Sequence, residues 1–259
     1  MNIIKKAYNG RFFISTKFFK KDIWKISKNT SRLTPFMFST VSSMHHDRKD
    51  TISHLSLFKK IVLLIAPAMG WYSPRSISIR KARELYIHCA EQGIQGSNCN
   101  DWYSRHLLSP SFQTWFHITM LHVWMLMVRI RALPKKVTKM YQQELVNHFF
   151  EDCEYRMRND YRIRSERIIS FYMKDLLMQF HGSVFAYDEG FYKNDYVLAL
   201  ALWRNLYAGK TNINISLLAA SVLYVRNTLF ELDNISDDDI QDAKMSFLKI
   251  SDIFELKDL

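Results

Sequence analysis

The chain has 259 residues, and 48% of them are apolar, so it can bury the core of one sizeable domain or of two small ones. Its seven glycines and five prolines are too few for a turn-rich all-β protein or a low-complexity chain, which favours helices. The formal net charge of +11 is distributed unevenly. Residues 1–40 carry nine Lys or Arg and one acid, whereas residues 228–259 carry three Lys or Arg and nine acids.

The two ends of the chain differ from its middle. Residues 1–40 alternate basic residues with Ile and Phe, which is typical of a mitochondrial transit peptide; the alternative is a basic arm that binds RNA or acidic lipid. Residues 41–74 are interpreted as a linker. Its apolar segment Ile61–Tyr72 is too short to span a bilayer but can lie against one. Residues 233–259 are expected to form an acidic C-terminal tail, in which Ser236 begins a capping box for a short helix.

Residues 75–232 carry helix signals in succession and no alternating pattern long enough for a sheet, so we predict a compact all-α domain. Ser78 can cap a helix that ends at Gly93. After the break at Ser109-Pro110-Ser111, a long helix runs to about Leu133. This helix is apolar on nearly every side, so we expect it to be the buried central helix of the domain.

Four more helices follow in this domain. The first extends from about Lys139 to Asn159. The second is expected to end at Gly182, with AYDEGFYKND after it as a loop. Asn194 or Asp195 can cap the next helix, and an asparagine at position 214 the one after it.

The segment NHFFEDCEYRMR, residues 147–158, gathers a histidine, several acids and two arginines on the helix 139–159. At 100° per residue, one side of this helix is apolar and the other polar. The expected buried stripe comprises Leu145, Val146, Phe149, Phe150, Cys153 and Met157. The expected polar face comprises Glu144, His148, Glu151 and Asp152.

Three interpretations of this polar face compete. The first is a carboxylate–histidine metal site of the helical-bundle kind, which would make the protein a metalloenzyme. Such sites need Glu-x-x-His from two helices. The sequence lacks this motif, so no metal is predicted. A solvated face would form ion pairs one turn apart, such as Asp152 with Arg156 and Glu154 with Arg158. A polar recognition surface could instead dock a protein or RNA. Cys153 is expected in the core, without a catalytic role.

A run of arginines continues from this segment. It comprises Arg156, Arg158, Arg162, Arg164 and Arg167. A solvated helix face is one explanation, and contact with phosphates of ribosomal RNA or acidic lipid is the other.

Three blocks together resemble the ubiquinol–cytochrome c chaperone family, the assembly factors of respiratory complex III. The blocks are SFQTWFHITMLHVWMLMVRIRAL (111–133), YQQELVNHFFEDCEYRMR (141–158) and FHGSVFAYDEGFYKNDYVLALALWRNLY (180–207). The resemblance implies a non-enzymatic protein without a cofactor or small-molecule substrate. It further implies a place on the matrix side of the mitochondrial inner membrane, as a peripheral protein. The implied partners are a small assembly factor, the mitochondrial ribosome and newly made cytochrome b. The resemblance implies that the protein supports the synthesis of cytochrome b and holds the new protein until it enters complex III assembly.

The resemblance also marks candidate binding positions. They are Trp115, His122, Trp124, Arg129, Arg131, Asn147, His148, Phe149, Phe150, Asp152, Tyr187, Asp188, Glu189, Trp203, Arg204 and Asn205. Structural roles are an alternative for several of them. The three tryptophans can be core residues, Gly190 can be a turn residue with positive φ, and Asp188 can form an internal ion pair with Arg204.

Overall fold

The computed structural model describes residues 73–94, 101–104, 108–211 and 213–251. The predicted transit peptide, the apolar segment Ile61–Tyr72 and Cys99 lie outside these residues. Within them, all regular structure is helical, which confirms the predicted all-α fold. The first four helices are α1 (Pro74–Gly93), α2 (Asp101–Ser104), α3 (Phe112–Ile130) and α4 (Lys135–Asn159). The next four are α5 (Glu166–Tyr192), α6 (Asp195–Asn205), α7 (Ile215–Asn234) and α8 (Asp237–Gln241).

Helix α3 lies at the centre of the helical unit, as predicted. Every residue from Trp115 to Ile130 is buried, because α1, α4, α5 and α7 all pack around it. Ser111 begins the helix by accepting a hydrogen bond from the Thr114 amide at 3.1 Å.

The predicted caps of the later helices are present. The Asn194 side chain accepts from the Val197 amide at 3.0 Å, and the Asn214 side chain accepts from the Ser216 amide at 2.8 Å. Ser236 accepts from the Asp239 amide, as a capping residue does.

The third block forms more helix than the sequence suggested. AYDEGFYKND was expected to be a loop after Gly182, but α5 continues through Gly182 to Tyr192. A mid-helix glycine costs only about 1 kcal/mol, and the apolar residues beyond it are buried at helical spacing, so packing outweighs the glycine signal. They include Val184, Tyr187 and Phe191.

The expectation that Gly190 occupies a turn with positive φ is therefore wrong. Gly190 is a buried helical residue, and a Cβ added to it would lie 2.5 Å from the Leu198 Cα. It is needed because α5 and α6 approach each other closely. The described glycine with positive φ is Gly209, at 65°.

Residues beyond position 232 continue the helical unit. The predicted boundary at 232 falls inside α7, and the side chains of Met245, Phe247 and Ile250 are buried. Among the described residues, α7 alone is long and apolar enough to cross a membrane, with a mean hydropathy of 1.3 and 44% of its window buried inside the fold.

Candidate functional site

Helix α1 covers the part of the polar face of α4 that contains His148 and Asp152, whereas Glu151 is exposed. The Tyr86 hydroxyl donates to Asp152 Oδ2 at 2.5 Å, and His148 Nε2 donates to the Ile79 carbonyl at 3.1 Å. The side chains of His148 and Asp152 are 13% and 22% exposed. The solvated-face interpretation is therefore wrong for these two residues, because they connect two helices. Burial, reinforced by the Asp152 carboxylate, raises the pKa of Tyr86 far above its ordinary value.

The predicted ion pairs one turn apart are confirmed. Arg156 Nε lies 3.2 Å from Asp152 Oδ1, and Arg158 Nη2 lies 2.7 Å from Glu154 Oε1. Arg158 Nη2 also lies 2.6 Å from Glu166 Oε2, so it links α4 to the first turn of α5. These carboxylates raise the pKa of Arg158.

The potential metal ligands on α4 are engaged within the fold. His148 and Asp152 bond to α1, and Glu144 accepts from the Asn147 side chain at 3.2 Å. Among the described residues, no group of three His, Cys, Asp or Glu is arranged to hold a metal ion. Cys153 is fully buried, as predicted, and burial raises the pKa of its thiol well above the ordinary value, which keeps the sulfur protonated and unreactive.

Trp115 and Phe149 belong to an aromatic core between α3 and α4. Both are buried, and their ring centroids lie 6.2 Å apart. The Arg156 guanidinium lies 4.1 Å from the Trp115 ring centroid, which covers this edge of the core with a cation–π contact. Phe150 is half-buried and contacts the rings of Phe149 and Phe180.

His122 is a neutral, fully buried residue of α3. Its Nδ1 donates to the Ile118 carbonyl at 2.7 Å, and its Nε2 accepts from the Tyr224 hydroxyl at 2.7 Å. Burial lowers the pKa of His122 to about 4. The pKa of His117 is also lowered to about 4, mainly by burial.

Asp188, in the block 180–207, binds two residues of the block 111–133. Its Oδ1 accepts from Trp124 Nε1 and from Arg131 Nη1, each at 2.8 Å. Tyr187 is buried beside it, 5.1 Å from the Trp124 ring. The proposed ion pair between Asp188 and Arg204 is wrong: the ion pair is with Arg131, and Arg204 is exposed at the end of α6.

Arg129, a residue of α3, binds the C-terminal end of α7 and the start of α8. It is 1% exposed, its Nε donates to the Leu232 carbonyl at 2.8 Å, and its Nη2 donates to the Ile235 carbonyl and Asp237, each at 2.7 Å. The sequence did not predict this contact because its partners lie more than one hundred residues away.

Besides Arg204, four of the marked positions lie nearer the surface. Asn147 accepts from the Gln143 side chain, and Glu189 pairs with Lys193. Asn205 donates to the Ala201 carbonyl. Trp203 was expected in the core but is only partly buried, because its Nε1 donates to the Lys210 carbonyl at the helix end.

The arginine run divides into two groups. Arg156 and Arg158 are paired with acids, as described above. Arg162, Arg164 and Arg167 are exposed and form no ion pair with any residue in the described part of the chain. They surround the α4–α5 connection, where Arg162 has a φ of 53°.

Sequence reasoning missed a cleft near this connection. It has a volume of about 270 Å³. Its lining includes Tyr103, Phe112, Trp115, Arg156 and Tyr161. These residues come from distant parts of the sequence, so no local motif indicated the cleft.

The fold and these contacts define an all-helical protein whose buried polar side chains join helices together. Residues 104–247 match the family model described as ubiquinol-cytochrome C chaperone, and the chain belongs to this family. The resemblance found in the sequence is thereby confirmed.

Curated relatives agree with this assignment. The chain is 40% identical over 169 residues to the Saccharomyces cerevisiae protein named "Protein CBP3, mitochondrial", covering 63% of this chain and 50% of that protein. It is 30% identical over 185 residues to the human ubiquinol-cytochrome c reductase complex assembly factor 1, covering 68% of this chain and 58% of that protein. The chain thus spans about half the length of the curated relatives it matches.

A solved structure has the same fold. The crystal structure of the Cbp3 homolog from Brucella abortus matches with a TM-score of 0.56 at 18% sequence identity, over 76% of this chain and 98% of that one.

Proposed function

We propose that this protein is a non-enzymatic assembly chaperone that binds newly made cytochrome b at the mitochondrial ribosome, supports its synthesis and promotes its incorporation into respiratory complex III. The observation that carries the proposal is the family match over residues 104–247. The names of the mouse and human relatives, which are assembly factors of the ubiquinol–cytochrome c reductase complex, support the same role.

The contacts of the marked residues support a scaffold with binding on its outer surfaces. Trp124, Arg129, Arg131 and Asp188 are used inside the fold, where they fix the helices relative to one another. Side chains in such positions are unavailable to a client, so cytochrome b and other partners would contact exposed residues.

The exposed arginines near the α4–α5 connection are the proposed ribosome contact. Three unpaired guanidinium groups on a short stretch of surface suit the phosphates of ribosomal RNA, which arginine binds through two parallel hydrogen bonds. Arg156 and Arg158 would contribute less, because their charge is already balanced by acids.

The remaining parts of the proposal concern location and partners. The protein would act on the matrix side of the inner membrane, together with a small partner assembly factor. The apolar segment Ile61–Tyr72 would contact the membrane surface, and deleting it is expected to release the protein from inner-membrane fractions. Retention of the deletion variant in those fractions would remove this part of the proposal.

Labelled translation in isolated mitochondria tests the proposed function. Mitochondrial products would be labelled with a radioactive amino acid, and the tagged protein captured under native conditions. Cytochrome b is expected to be enriched over the other labelled products. Equal recovery of all products, or of none, contradicts the role in cytochrome b assembly.

A charge-reversal variant tests the ribosome contact. Arg162→Glu, Arg164→Glu and Arg167→Glu together are expected to abolish co-sedimentation with the mitochondrial ribosome at moderate salt, because phosphate contacts are strongly salt-dependent. The matched control is Lys135→Glu with Lys136→Glu, two exposed lysines at the start of α4. Unchanged co-sedimentation of the triple variant would exclude this surface.

A further inference from the structure

Residues 244–250, which follow α8, lie on the helical unit as an extended peptide lies in a groove. We call these residues the strap. Residues 244–249 form no regular secondary structure, and their burial alternates. Met245 and Phe247 are 8% and 9% exposed, whereas Lys244 and Ser246 are exposed. Because an extended chain points successive side chains to opposite sides, one side of the strap faces the helices and the other faces solvent.

The buried side of the strap is apolar. The Phe247 ring lies edge-on to the His122 ring, with their centroids 4.8 Å apart. The rings of Trp102 on α2 and Tyr224 on α7 pack on the same histidine, with centroids 6.1 and 5.7 Å from its own. Ile250, which is 1% exposed, anchors the far end of the strap. The strap therefore completes an aromatic cluster whose other members belong to the helical unit.

Hydrogen bonds hold the chain up to the start of the strap. The Tyr141 hydroxyl donates to the Gln241 carbonyl at 3.0 Å, and the Lys244 amide donates to the Asp239 carbonyl at 2.8 Å. Among the described residues, no hydrogen bond joins residues 245–249 to another part of the chain. The strap can therefore leave its groove without breaking a helix, because its contacts there are those of apolar side chains.

We propose that the strap is an internal occupant of a groove for extended apolar segments of another protein, and that such a segment replaces the strap when it binds. The strap itself gives the pattern of the partner, with two apolar side chains two residues apart, a separation of about 7 Å. The second of these, in the place of Phe247, would be aromatic. Contacts of this kind select the size and spacing of side chains and not one exact sequence. They suit a protein that holds an unfolded apolar chain, so the kind of partner rests on the proposed function.

The strap also limits how strongly an outside segment can bind. It is tethered beside its own groove, so it competes at an effective concentration on the order of millimolar. Weakening the strap should therefore increase the affinity of the groove for a segment added from outside.

Binding of a synthetic peptide to the full chain tests the proposal. The probe is a fluorescently labelled peptide with the sequence AKMSFLKI, residues 243–250, and its binding is measured by fluorescence anisotropy. Phe247→Ala is expected to bind the peptide about tenfold or more tightly than the wild type, because the tethered competitor has lost its aromatic anchor. The matched control is Phe230→Ala, which removes a 47% exposed phenylalanine from α7 and should bind like the wild type. A peptide with serine in place of its methionine and phenylalanine should not bind.

Circular dichroism establishes whether the variants keep the fold. Phe247→Ala should retain the helical signal because the strap is not helical. If it does not, Met245→Ala, which removes a smaller side chain, replaces it in the comparison. The proposal is overturned if both variants lose the helical signal, since the strap then belongs to the folding core. It is equally overturned if a folded variant binds the peptide no better than the wild type.

A second copy of the chain is the competing occupant of the groove. A wild type that sediments as a dimer, together with a monomeric Phe247→Ala, would mean that the two copies exchange straps, and this result contradicts the proposal. Cytochrome b takes no part in these assays. Their failure would therefore leave the labelled-translation result, and with it the proposed function, unaffected.

Discussion

The Tyr86 hydroxyl and the Asp152 carboxylate are joined by a 2.5 Å hydrogen bond that ties α1 to α4. Together with the bond from His148 to the Ile79 carbonyl, it uses the polar side of the segment NHFFEDCEYRMR for packing between helices. The segment that most resembled an active site in the sequence is thus a structural connection, with an apolar core on one side and a hydrogen-bonded helix on the other.

A double-mutant cycle at Tyr86 and Asp152 should reveal this connection. Tyr86→Phe and Asp152→Asn are each expected to reduce the free energy of unfolding by about 1–3 kcal/mol, because each leaves a partly buried group with a lost or weakened partner. The two effects should not add, with a coupling energy of about 1–2 kcal/mol. Urea unfolding of the two single variants and the double variant measures this.

Tyr155→Phe provides the control for that cycle. Tyr155 is 62% exposed on the same helix, so removing its hydroxyl should change stability by less than about 0.5 kcal/mol. Additive effects of Tyr86→Phe and Asp152→Asn would mean that the hydrogen bond does not stabilise the fold.

Sequence patterns predicted the fold well where a signal was local. The caps at Asn194, Asn214 and Ser236 were found because a capping side chain binds an amide two or three residues away. The cap predicted at Ser78 is wrong, because α1 already begins at Pro74 and Ser78 lies inside it. The burial of α3 followed equally directly from its apolar composition.

The same reasoning failed where the deciding contact was distant in sequence. Gly190 suggested a turn, but its role is set by Leu198 on the next helix. Asp188 was paired with Arg204, whereas Arg131 reaches it from the C-terminal end of α3. Helical periodicity gives the direction of a side chain but does not give the identity of the helix it meets.

A pair of glycine substitutions tests the close approach of α5 and α6. Gly190→Ala is expected to lower the free energy of unfolding by about 1–3 kcal/mol, because its Cβ would meet the Leu198 backbone, which cannot move alone. Gly182→Ala is the matched control on the same helix and should stabilise the fold by up to about 1 kcal/mol. Both are measured by urea unfolding. Equal effects of the two substitutions would contradict the close approach at Gly190.

Replacing Arg129 should loosen the end of the helical unit. Arg129→Met keeps most of the apolar volume but leaves two carbonyl groups and the Asp237 carboxylate without their donor. We expect a loss of about 3 kcal/mol, since groups left without partners in buried positions are costly. Hydrogen exchange should rise first in α8 and the residues after it.

Asp237→Asn is the milder comparison for Arg129→Met. The Asp237 side chain is 50% exposed, so water can replace part of its interaction, and a loss of about 1 kcal/mol or less is expected. A larger effect from Asp237→Asn than from Arg129→Met would show that the two carbonyl contacts are unimportant.

Protonation of the buried histidines should destabilise the protein in mild acid. His122 has a pKa of about 4 in the fold against 6.5 when unfolded, so between these values the unfolded chain binds more protons and stability rises with pH. The contribution of neutral His122 to stability is fully present above pH 6.5 and is lost as the pH falls towards 4, by about 3 kcal/mol in total.

Urea unfolding at about pH 7 and at about pH 4.5 should show most of this loss, and the stability of His122→Gln should depend less steeply on pH. His117 has a similar pKa and remains in the variant, so part of the dependence of stability on pH should persist. If His122→Gln and wild type lose equal stability between the two pH values, His122 is not held neutral by the fold.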